Sequence, residues 1–429
     1  MYQVTKLSMA MAAIGLSTFI FMGQVIAETT DNSQGYRVES SINSSSNNAS
    51  DVNADADISN DSAAQNNSMQ NSSTFDQKSS GNQNSTIDQN SNDMSPVTNG
   101  VSQKLDGNSE TAMSLNKLLP TIKYSTENLP QAAQQVNAAT WSTGMTIGAN
   151  ADNRHNRSLP TKLQALLNWH HHGVGAVDGY WGKNTRKAMQ AFQQARGLAV
   201  TETLNSETWQ ALTKNNELMN QPVLVSYVLT DADINIKTTT IPAGAEAKAK
   251  LDGMYYESVI EGLAEKFHMS ENYLKALNPN AAFNAGDTIT VYNPGNPNAT
   301  PVSRVVADKK TETLYAYDDK DHLIASYPTT VGSTSTPSPT GTHKVEVKVH
   351  QPNYTYTGDD GSKSIIPPGP NNPVGLVWIG LSKPSYGIHG SPDPERISRQ
   401  ASAGCVRLTN WDALALLGSI QNGATVEFQ

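Results

Sequence analysis

Cysteine is almost absent from this 429-residue chain, which contains only Cys405. An intramolecular disulfide is therefore excluded, and each folded part must be held together by its own core. An excess of positive charge is also lacking, because 39 Asp and Glu residues outnumber 30 Lys and Arg residues and leave a net charge of −9. An acidic chain repels phosphate groups, so nucleic acid is not an expected partner.

Long apolar runs are equally scarce, and the one present spans residues 7–22. Lys6 precedes this run, and Val25 and Ala27 supply small side chains at the two positions that a signal peptidase reads. The run is short for a transmembrane helix, so we predict a signal peptide over residues 1–27. A retained membrane anchor is the alternative. In an exported chain, a single thiol is either reactive or incidental.

Residues 28–112 lack the apolar side chains that a core requires. They consist mainly of Asn, Ser, Asp and Gln, and the run 43–48 is typical. Such a composition cannot bury enough apolar surface to offset the entropy lost on ordering, so we predict a disordered tether. The following stretch, 113–157, has a mixed composition and is predicted to be a linker that forms short helices or a docking segment.

Residues 158–213 carry apolar side chains at helical spacing, beginning with Leu159, Leu163 and Leu166. A loop with the text Val-Asp-Gly-Tyr-Trp-Gly, residues 177–182, separates the first helix from the second. The unit resembles the three-helix peptidoglycan-binding domain of bacterial wall enzymes, which implies binding to wall glycan or peptide. A helical spacer without a ligand is the alternative.

Three consecutive histidines, His170–His172, lie in this helical unit. Neighbouring positions at a helix end point in different directions, and no Cys, Asp or Glu ligand set is spaced around them. We therefore expect a solvated helix end rather than a metal site.

Residues 222–300 form a second small unit. Apolar spacing predicts helices over 256–267 and 270–277, with Ser270 as the N-cap of the second, and a strand over 286–291. This order resembles the second half of a LysM glycan-binding module, although the first strand of such a module is not legible. A ligand-free linker domain is the alternative.

Residues 302–429 contain short runs of β-forming residues between polar turns, followed by one late helix, 411–420, with Asn410 as its candidate N-cap. The pattern predicts an all-β domain, sandwich-like or barrel-like, that is large enough for its own core. The chain is thus predicted to be multidomain, with this domain at the C-terminus, a small α-helical domain upstream and a disordered N-terminal tether.

Cys405 follows a glycine and lies downstream of His389 in this domain. A thiol becomes an effective nucleophile when a neighbouring imidazole takes its proton, so His389 is the candidate general acid/base. Gly404 allows a tight turn, and the backbone N–H groups of Cys405 and its immediate neighbours, Gly404 included, would form an oxyanion hole. Arg407 would hold a loop carbonyl or a substrate carboxylate. The alternative is that the cysteine and the histidine are both structural.

The sequence around these residues is similar to that of the L,D-transpeptidase catalytic domain. The signature of the family is matched by two segments, His389-Gly390-Ser391 and Ser402-Ala403-Gly404-Cys405-Val406-Arg407-Leu408. Residues 338–342 and 368–375 match the family upstream, and the resemblance covers 302–429 almost completely. Many members carry His in place of Ala403, a departure that affects the expected rate and substrate preference more than the reaction.

The resemblance implies a periplasmic, wall-associated peptidoglycan L,D-transpeptidase. Cys405 would attack the diaminopimelate carbonyl of a tetrapeptide stem, release D-alanine and pass the acyl group to an amine, which forms 3→3 cross-links. The acceptor would be a second stem, an outer-membrane lipoprotein, a free D-amino acid or water. No cofactor and no metal are expected, and carbapenems would trap the same thiol.

Further side chains are expected to support the site or to contact the substrate. Support is predicted from Gly390, Ser402 and Arg407. The loop 351–368 is predicted to be a mobile lid over the cleft. Substrate contacts are predicted for Tyr354, Tyr356, Trp378, Tyr386 and Ser391. His343 and His350 are alternative bases that lie outside the matching segments.

Other functions remain open at this stage. An L,D-carboxypeptidase, or an enzyme that attaches lipoprotein to the wall, would use the same chemistry. A catalytically silent wall-binding protein would use none of it, and a metal-dependent hydrolase would depend on the histidine run.

Overall fold

Most strands of the chain join one sheet in the computed structural model, which describes residues 37–40, 103–104, 121–145, 147, 156–332, 336–358, 360–399, 402 and 404–429. The predicted signal peptide, most of the predicted tether and Ala403 lie outside the described residues. Among the described helices, none has both the length and the apolar character needed to cross a bilayer.

The elements have the following bounds. The strands are β1 Arg37–Ser40, β2 Gln103–Lys104, β3 Thr121–Tyr124, β4 Leu224–Val228, β5 Thr288–Tyr292, β6 Val302–Asp308, β7 Thr313–Tyr317, β8 Leu323–Pro328, β9 Gly341–His350, β10 Tyr354–Thr357, β11 Lys363–Ile366, β12 Val377–Leu381, β13 Gly387–His389, β14 Val406–Arg407 and β15 Ile420–Phe428. The α-helices are α1 Gln131–Ala138, α2 Ser158–Trp169, α3 Lys183–Ala195, α4 Ser206–Thr213, α5 Asn216–Asn220, α6 Asp231–Ile234, α7 Ala245–Lys248, α8 Val259–Lys266, α9 Glu271–Leu277 and α10 Asn410–Ser419, and a 3-10 helix spans Pro394–Arg396.

The C-terminal sheet runs in the order β14-β13-β12-β9-β15-β6-β7-β8, with β2 paired to β9. Its two ends meet, because Thr330, just after β8, exchanges both backbone hydrogen bonds with Arg407 of β14, at 2.9 and 3.0 Å. Helix α10 covers the sheet, and Ala413, Leu416 and Leu417 enter the same core as the strand residues. The predicted all-β, barrel-like domain is therefore confirmed.

A single hydrophobic core joins the segments that the sequence divides into linker, helical unit and second unit. Val136 of α1, Leu166 of α2, Phe192 of α3, Leu224 of β4 and Tyr292 of β5 are all buried in one cluster. Burying an aliphatic or aromatic side chain of this size stabilises a fold by about 1.5–3 kcal/mol. Because these side chains come from all three segments, the segments pack against one another and do not form separate domains.

The second unit begins with a strand that the sequence did not reveal. Strand β4 pairs antiparallel with β5, and α8 and α9 lie between them in the chain. Ser270 caps α9 as predicted, since its side chain accepts the N–H of Tyr273. Helix α8 starts only after its cap Ser258, which corrects the longer prediction over 256–267. The LysM-like character of the unit stays a prediction.

The helical unit packs against the edge of the C-terminal sheet at β8. Ser326 accepts the N–H of Gly173 at 2.8 Å and donates its own N–H to His171, and its hydroxyl bonds Nδ1 of His172 at 2.9 Å. His172 is 2% exposed. The expectation of a solvated histidine run was therefore wrong, because the run forms an internal docking surface.

Two buried, neutral histidines predict that the folded protein loses stability as the pH falls. Burial lowers the pKa of His172 and of His268, which stacks on Trp411, to about 3 each. The unfolded chain therefore takes up these protons first, as the pH falls below about 6.5, and stability is lost between that pH and the folded pKa. Each group lowers the free energy of unfolding by up to about 1.4 kcal/mol per pH unit in that window.

We expect the melting temperature to fall by several degrees between about pH 7.5 and pH 5, and the fall to be smaller in His172→Gln. His322→Gln, at a side chain that is 69% exposed, is the control, and it should retain most of the fall seen in the natural chain. Thermal unfolding followed by circular dichroism measures both. Equal pH dependence in all three proteins would contradict this account.

Candidate active site

His389 ends one of two neighbouring strands at one end of the sheet, and Cys405 directly precedes the other. Strand β13 ends at His389, and β14 starts one residue after Cys405. The two strands are parallel, with Ile388 opposite Val406 and His389 opposite Arg407. This pairing brings the segments of the thiol and the imidazole together, and a shared catalytic role stays a prediction.

The thiol of Cys405 is buried, with 3% exposure. Its Sγ lies 3.7 Å from the carbonyl oxygen of Ser385, a distance at which a thiol donates a weak hydrogen bond. Burial raises the pKa of Cys405 to about 11, although a backbone hydrogen bond from Gly387 and the charge of Arg407 act against this rise. The resting group is therefore a thiol, and attack on a substrate requires a base.

His389 is held in the form that can act as this base. Its Nδ1 lies 2.7 Å from the carbonyl oxygen of Gly390, and because a carbonyl only accepts, Nδ1 carries the proton and Nε2 keeps its lone pair. Burial, followed by the nearby Arg407 charge, lowers the pKa of His389 to about 3, so the ring is neutral at physiological pH. The indole of Trp378 stacks on the imidazole, with the ring centroids 5.9 Å apart.

The loop before Cys405 is fixed by Ser402. Its hydroxyl donates to the carbonyl oxygen of Cys405 at 2.5 Å and accepts the N–H of Gly404 at 3.2 Å. Gly404 has φ +105°, and a Cβ there would come within 2.8 Å of the Tyr386 ring. The turn therefore requires glycine, as expected.

The oxyanion-hole assignment changes in one respect. The N–H of Gly404, which the sequence analysis assigned to an oxyanion, is already bonded to Ser402. Within the described residues the N–H of Cys405 makes no hydrogen bond, so it is the donor left for a developing oxyanion.

Arg407 places a positive charge beside Cys405 and His389. Its backbone is bound by Thr329 and Thr330, and its guanidinium opposes the rise that burial causes in the pKa of Cys405 and adds to the lowering that burial causes in the pKa of His389. Its Nε is buried and makes no hydrogen bond to any described residue. The predicted supporting role fits this position, and carboxylate binding stays a prediction.

The predicted lid contains a β-hairpin. Strands β10 and β11 pair antiparallel, with Tyr354 opposite Ile366. Tyr354 packs on the small cluster that contains Cys405, and Tyr356, 37% exposed, faces solvent. Tyr354 and Tyr356 are two residues apart on β10, so their side chains lie on the same face of the hairpin, and substrate contact by either stays a prediction.

The other predicted substrate residues have distinct surroundings. Trp378 is 3% exposed and lies against His389, where it holds the imidazole. The ring of Tyr386 lies over Gly404 and under the ammonium of Lys383. Ser391 is buried in its own turn, where its hydroxyl accepts the N–H of Asp393 at 3.2 Å. Their roles toward substrate stay predictions.

The alternative bases lie farther along the sheet. His350 belongs to β9, which is separated from β13 by β12, and burial lowers its pKa to about 4. His343, at the other end of β9, packs edge-on against Phe428. Among the described residues, no group of three or more His, Cys, Asp or Glu side chains is placed to hold a metal ion.

Asn410, which sequence reasoning proposed as a helix cap, has a different function. Thr409 is the N-cap of α10, and its hydroxyl accepts the N–H of Asp412. The Asn410 side chain instead accepts the N–H of Leu376 at 3.0 Å and fills the space behind Gly390, where a Cβ would approach it to 2.3 Å. It therefore supports the strand end that carries His389.

Glu265 of α8 completes this support. Asn410 donates to both of its carboxylate oxygens, at 2.9 and 3.2 Å, and Tyr256 donates to one of them. Burial raises the pKa of Glu265 to about 8. Nothing in the local sequence indicated this contact, because the partners are 145 residues apart.

Comparison with known proteins agrees with this geometry. A family model described as "L,D-transpeptidase catalytic domain" matches residues 303–428, and one described as "Putative peptidoglycan binding domain" matches residues 156–212. The chain is 31% identical over 170 residues to "Putative L,D-transpeptidase YkuD" of Bacillus licheniformis, which covers 39% of this chain and 91% of that protein. It is 30% identical over 127 residues to "Putative L,D-transpeptidase YqjB" of Bacillus subtilis, covering 28% of this chain and 68% of that one.

Among solved structures, the L,D-transpeptidase (residues 123-326) of Xylanimonas cellulosilytica is 14% identical, with a TM-score of 0.29, and covers 68% of this chain and 98% of that one. The sequence relatives carry the assignment, because two of them are at least 30% identical and align over two thirds or more of their own length. With a peptidoglycan-binding domain preceding its catalytic domain, this chain belongs to the L,D-transpeptidase family of enzymes.

Proposed function

We propose that this protein cross-links peptidoglycan by an acyl transfer in which Cys405 is the nucleophile and His389 the general acid/base. The observation that carries the proposal is the neutral imidazole, with Nδ1 bound to Gly390 and Nε2 unprotonated, on the strand beside the thiol. A wall-binding unit packed directly against the catalytic sheet supports the wall as the substrate.

The first half-reaction breaks the bond between diaminopimelate and D-alanine in a tetrapeptide stem. His389 Nε2 takes the thiol proton while Sγ of Cys405 bonds to the carbonyl carbon and the oxygen becomes an oxyanion. The N–H of Cys405 is the donor for that oxyanion. When the carbon–nitrogen bond breaks, the imidazolium returns its proton to the leaving D-alanine amine, and a thioester remains on Cys405.

The second half-reaction transfers the acyl group to an amine. The amine nitrogen attacks the thioester carbon, His389 takes a proton from it, and the carbon–sulfur bond breaks. The proton on His389 then restores the thiol of Cys405. One amide replaces another, so the sequence of steps is balanced without an input of ATP. With a second stem as acceptor, the product is a 3→3 cross-link.

We also propose export to the periplasm through cleavage after Ala27. The apolar run and the small residues before the cleavage site support it. Amino-terminal sequencing of the wall-associated protein would give a start at Glu28 if this is right, and an uncleaved Met1 would reject it.

Muropeptide mass spectrometry tests the proposed reaction. The mature protein is incubated with tetrapeptide-rich wall fragments, in parallel with Cys405→Ala. We expect 3→3 dimers and free D-alanine from the natural chain only. Tripeptide monomers without dimers would indicate an L,D-carboxypeptidase. If stem dimers are absent but an added outer-membrane lipoprotein becomes attached, the attachment reaction replaces the proposal. Equal outcomes for both proteins in every arm would favour a catalytically silent wall-binding protein.

A further inference from the structure

Lys187 is a lysine of the peptidoglycan-binding domain whose side chain is buried in the catalytic domain. It lies on α3 and is 7% exposed. Its Nζ donates to the hydroxyl of Ser398 at 2.8 Å and to the backbone carbonyl of Glu312 at 2.5 Å. Ser398 belongs to the segment that connects His389 with Cys405, so the helix reaches directly into the link between the two reacting residues.

Ser398 is in turn hydrogen-bonded to Thr329 and Thr330, the two residues that follow β8. Its hydroxyl donates to the carbonyl of Thr329 at 3.0 Å, which leaves its lone pairs for Lys187, and its N–H donates to the hydroxyl of Thr330 at 2.9 Å. Ser398 is buried and has φ +64°, a conformation that a non-glycine residue adopts only when its surroundings hold it there.

The same two threonines hold the strand of the nucleophile. Thr329 donates its hydroxyl to the carbonyl of Arg407 at 2.7 Å, and Thr330 exchanges both backbone hydrogen bonds with Arg407. Arg407 is two residues after Cys405. An unbroken series of hydrogen bonds therefore runs from Lys187 through Ser398 and the threonines to Arg407 of β14, the strand that directly follows Cys405.

The burial of Lys187 is unfavourable for its charge. Burial lowers its pKa to about 7, opposed by the acidic Glu312 and Asp308 and reinforced by Lys183. An exposed ion pair such as that of Lys183 with Glu312 would connect the two domains without this desolvation. A lysine that is buried despite this cost points to a role other than holding the two domains together.

We propose that Lys187 is a positioning residue, supplied by the peptidoglycan-binding domain, that fixes the Ser398 segment and thereby the orientation of Cys405. The proposal rests on the proposed function of Cys405 as the nucleophile. The peptidoglycan-binding domain then has a second role, because the hydrogen bonds that hold the Ser398 segment are complete only when this domain packs against the catalytic domain.

A double-mutant cycle tests this pathway, with Lys187→Met, Ser398→Ala and the double variant. We expect each single change to lower kcat about tenfold with KM changed less than about twofold, since misplaced reacting groups affect the transition state more than binding. The double variant should be no worse than the poorer single one, because both changes remove the same contact. Arg186→Met, on the same helix but paired with Glu202 of its own domain, is the matched control.

Alkylation of the single thiol by iodoacetamide gives a readout that does not depend on turnover. Loss of Lys187 should loosen the segment, admit water and lower the pKa of the thiol, so alkylation accelerates by about threefold or more while kcat falls. A purely structural lysine would change the melting temperature alone. Lys187→Gln serves as the second variant if Lys187→Met does not fold.

Two results would overturn the proposal: unchanged kcat and alkylation in the Lys187 variants, or kcat losses that multiply in the double variant. If the natural chain forms no product at all, the proposed function fails instead. The alkylation rates then decide the positioning role by themselves, with acceleration supporting it and no change rejecting it.

Discussion

Replacing Cys405 by alanine is expected to lower the rate of D-alanine release by about a thousandfold or more, to the background level. The reason is that the chain has no second thiol to take over the attack. The measurement is D-alanine release from purified tetrapeptide. Folding of the variant is checked by its melting temperature, because the replaced side chain is buried beside Val349, Val374 and Trp378.

Cys405→Ser is the informative companion to this variant. It keeps a proton-bearing nucleophile of similar size beside the same imidazole. A hydroxyl is a weaker nucleophile than a thiol at neutral pH, so we expect activity to stay near background. Full activity in Cys405→Ala would show that the attack comes from another group or from water.

Replacing His389 by glutamine is expected to lower kcat/KM by about 10²–10⁴-fold near pH 7 and to change the shape of the pH profile. With the pKa of Cys405 raised to about 11, only about one thiol in ten thousand is ionised at pH 7 without a base. The variant depends on that fraction, so its kcat/KM should rise about tenfold per pH unit between about pH 7 and 10.

The natural chain should not show this slope. Its reacting form, a thiol beside a neutral imidazole, persists from above the His389 pKa of about 3 to below the Cys405 pKa of about 11. The pH dependence of kcat/KM in both proteins measures the difference. His343→Gln, at the far end of β9, is the matched control and should behave like the natural chain. A His389→Gln variant with the same profile as the natural chain would remove His389 from the role of base.

The candidate pair could be named from the sequence because its chemistry lies in short segments. A lone cysteine after glycine and a histidine at the end of an apolar strand indicated a thiol site, and the structure pairs the strands on which the two segments border. The β-rich pattern of the C-terminal domain and the cap of α9 at Ser270 were predictable for the same reason, since both depend on residues close in sequence.

The supporting contacts were not predictable, because they join residues that are distant in sequence and ordinary in type. Lys187 and Ser398 are 211 residues apart, and Asn410 and Glu265 are 145 apart. A lysine on an amphipathic helix and a glutamate in another are normally solvated, and only the docking of the units shows that these two are buried. The histidine run was misread for this reason as well, since helix geometry alone does not reveal a neighbouring sheet edge.

The two accessory units do more than precede the catalytic domain, because both pack against it. The strand end at His389 is supported by Asn410 and Glu265, and the strand of Cys405 by Ser398 and Lys187. Each accessory unit thus reaches the site through one residue of the catalytic domain, Asn410 for Glu265 and Ser398 for Lys187. Separating the catalytic domain from residues 121–300 would remove both contacts.

Intact-protein mass spectrometry of the enzyme mixed with tetrapeptide stem, followed by peptide mapping, tests whether Cys405 carries the acyl group. We expect a transient adduct of one stem acyl group without its D-alanine, in thioester linkage to Cys405, that disappears when an acceptor amine is added. Formation of cross-linked product without any adduct on Cys405, or an adduct on another residue, would contradict it.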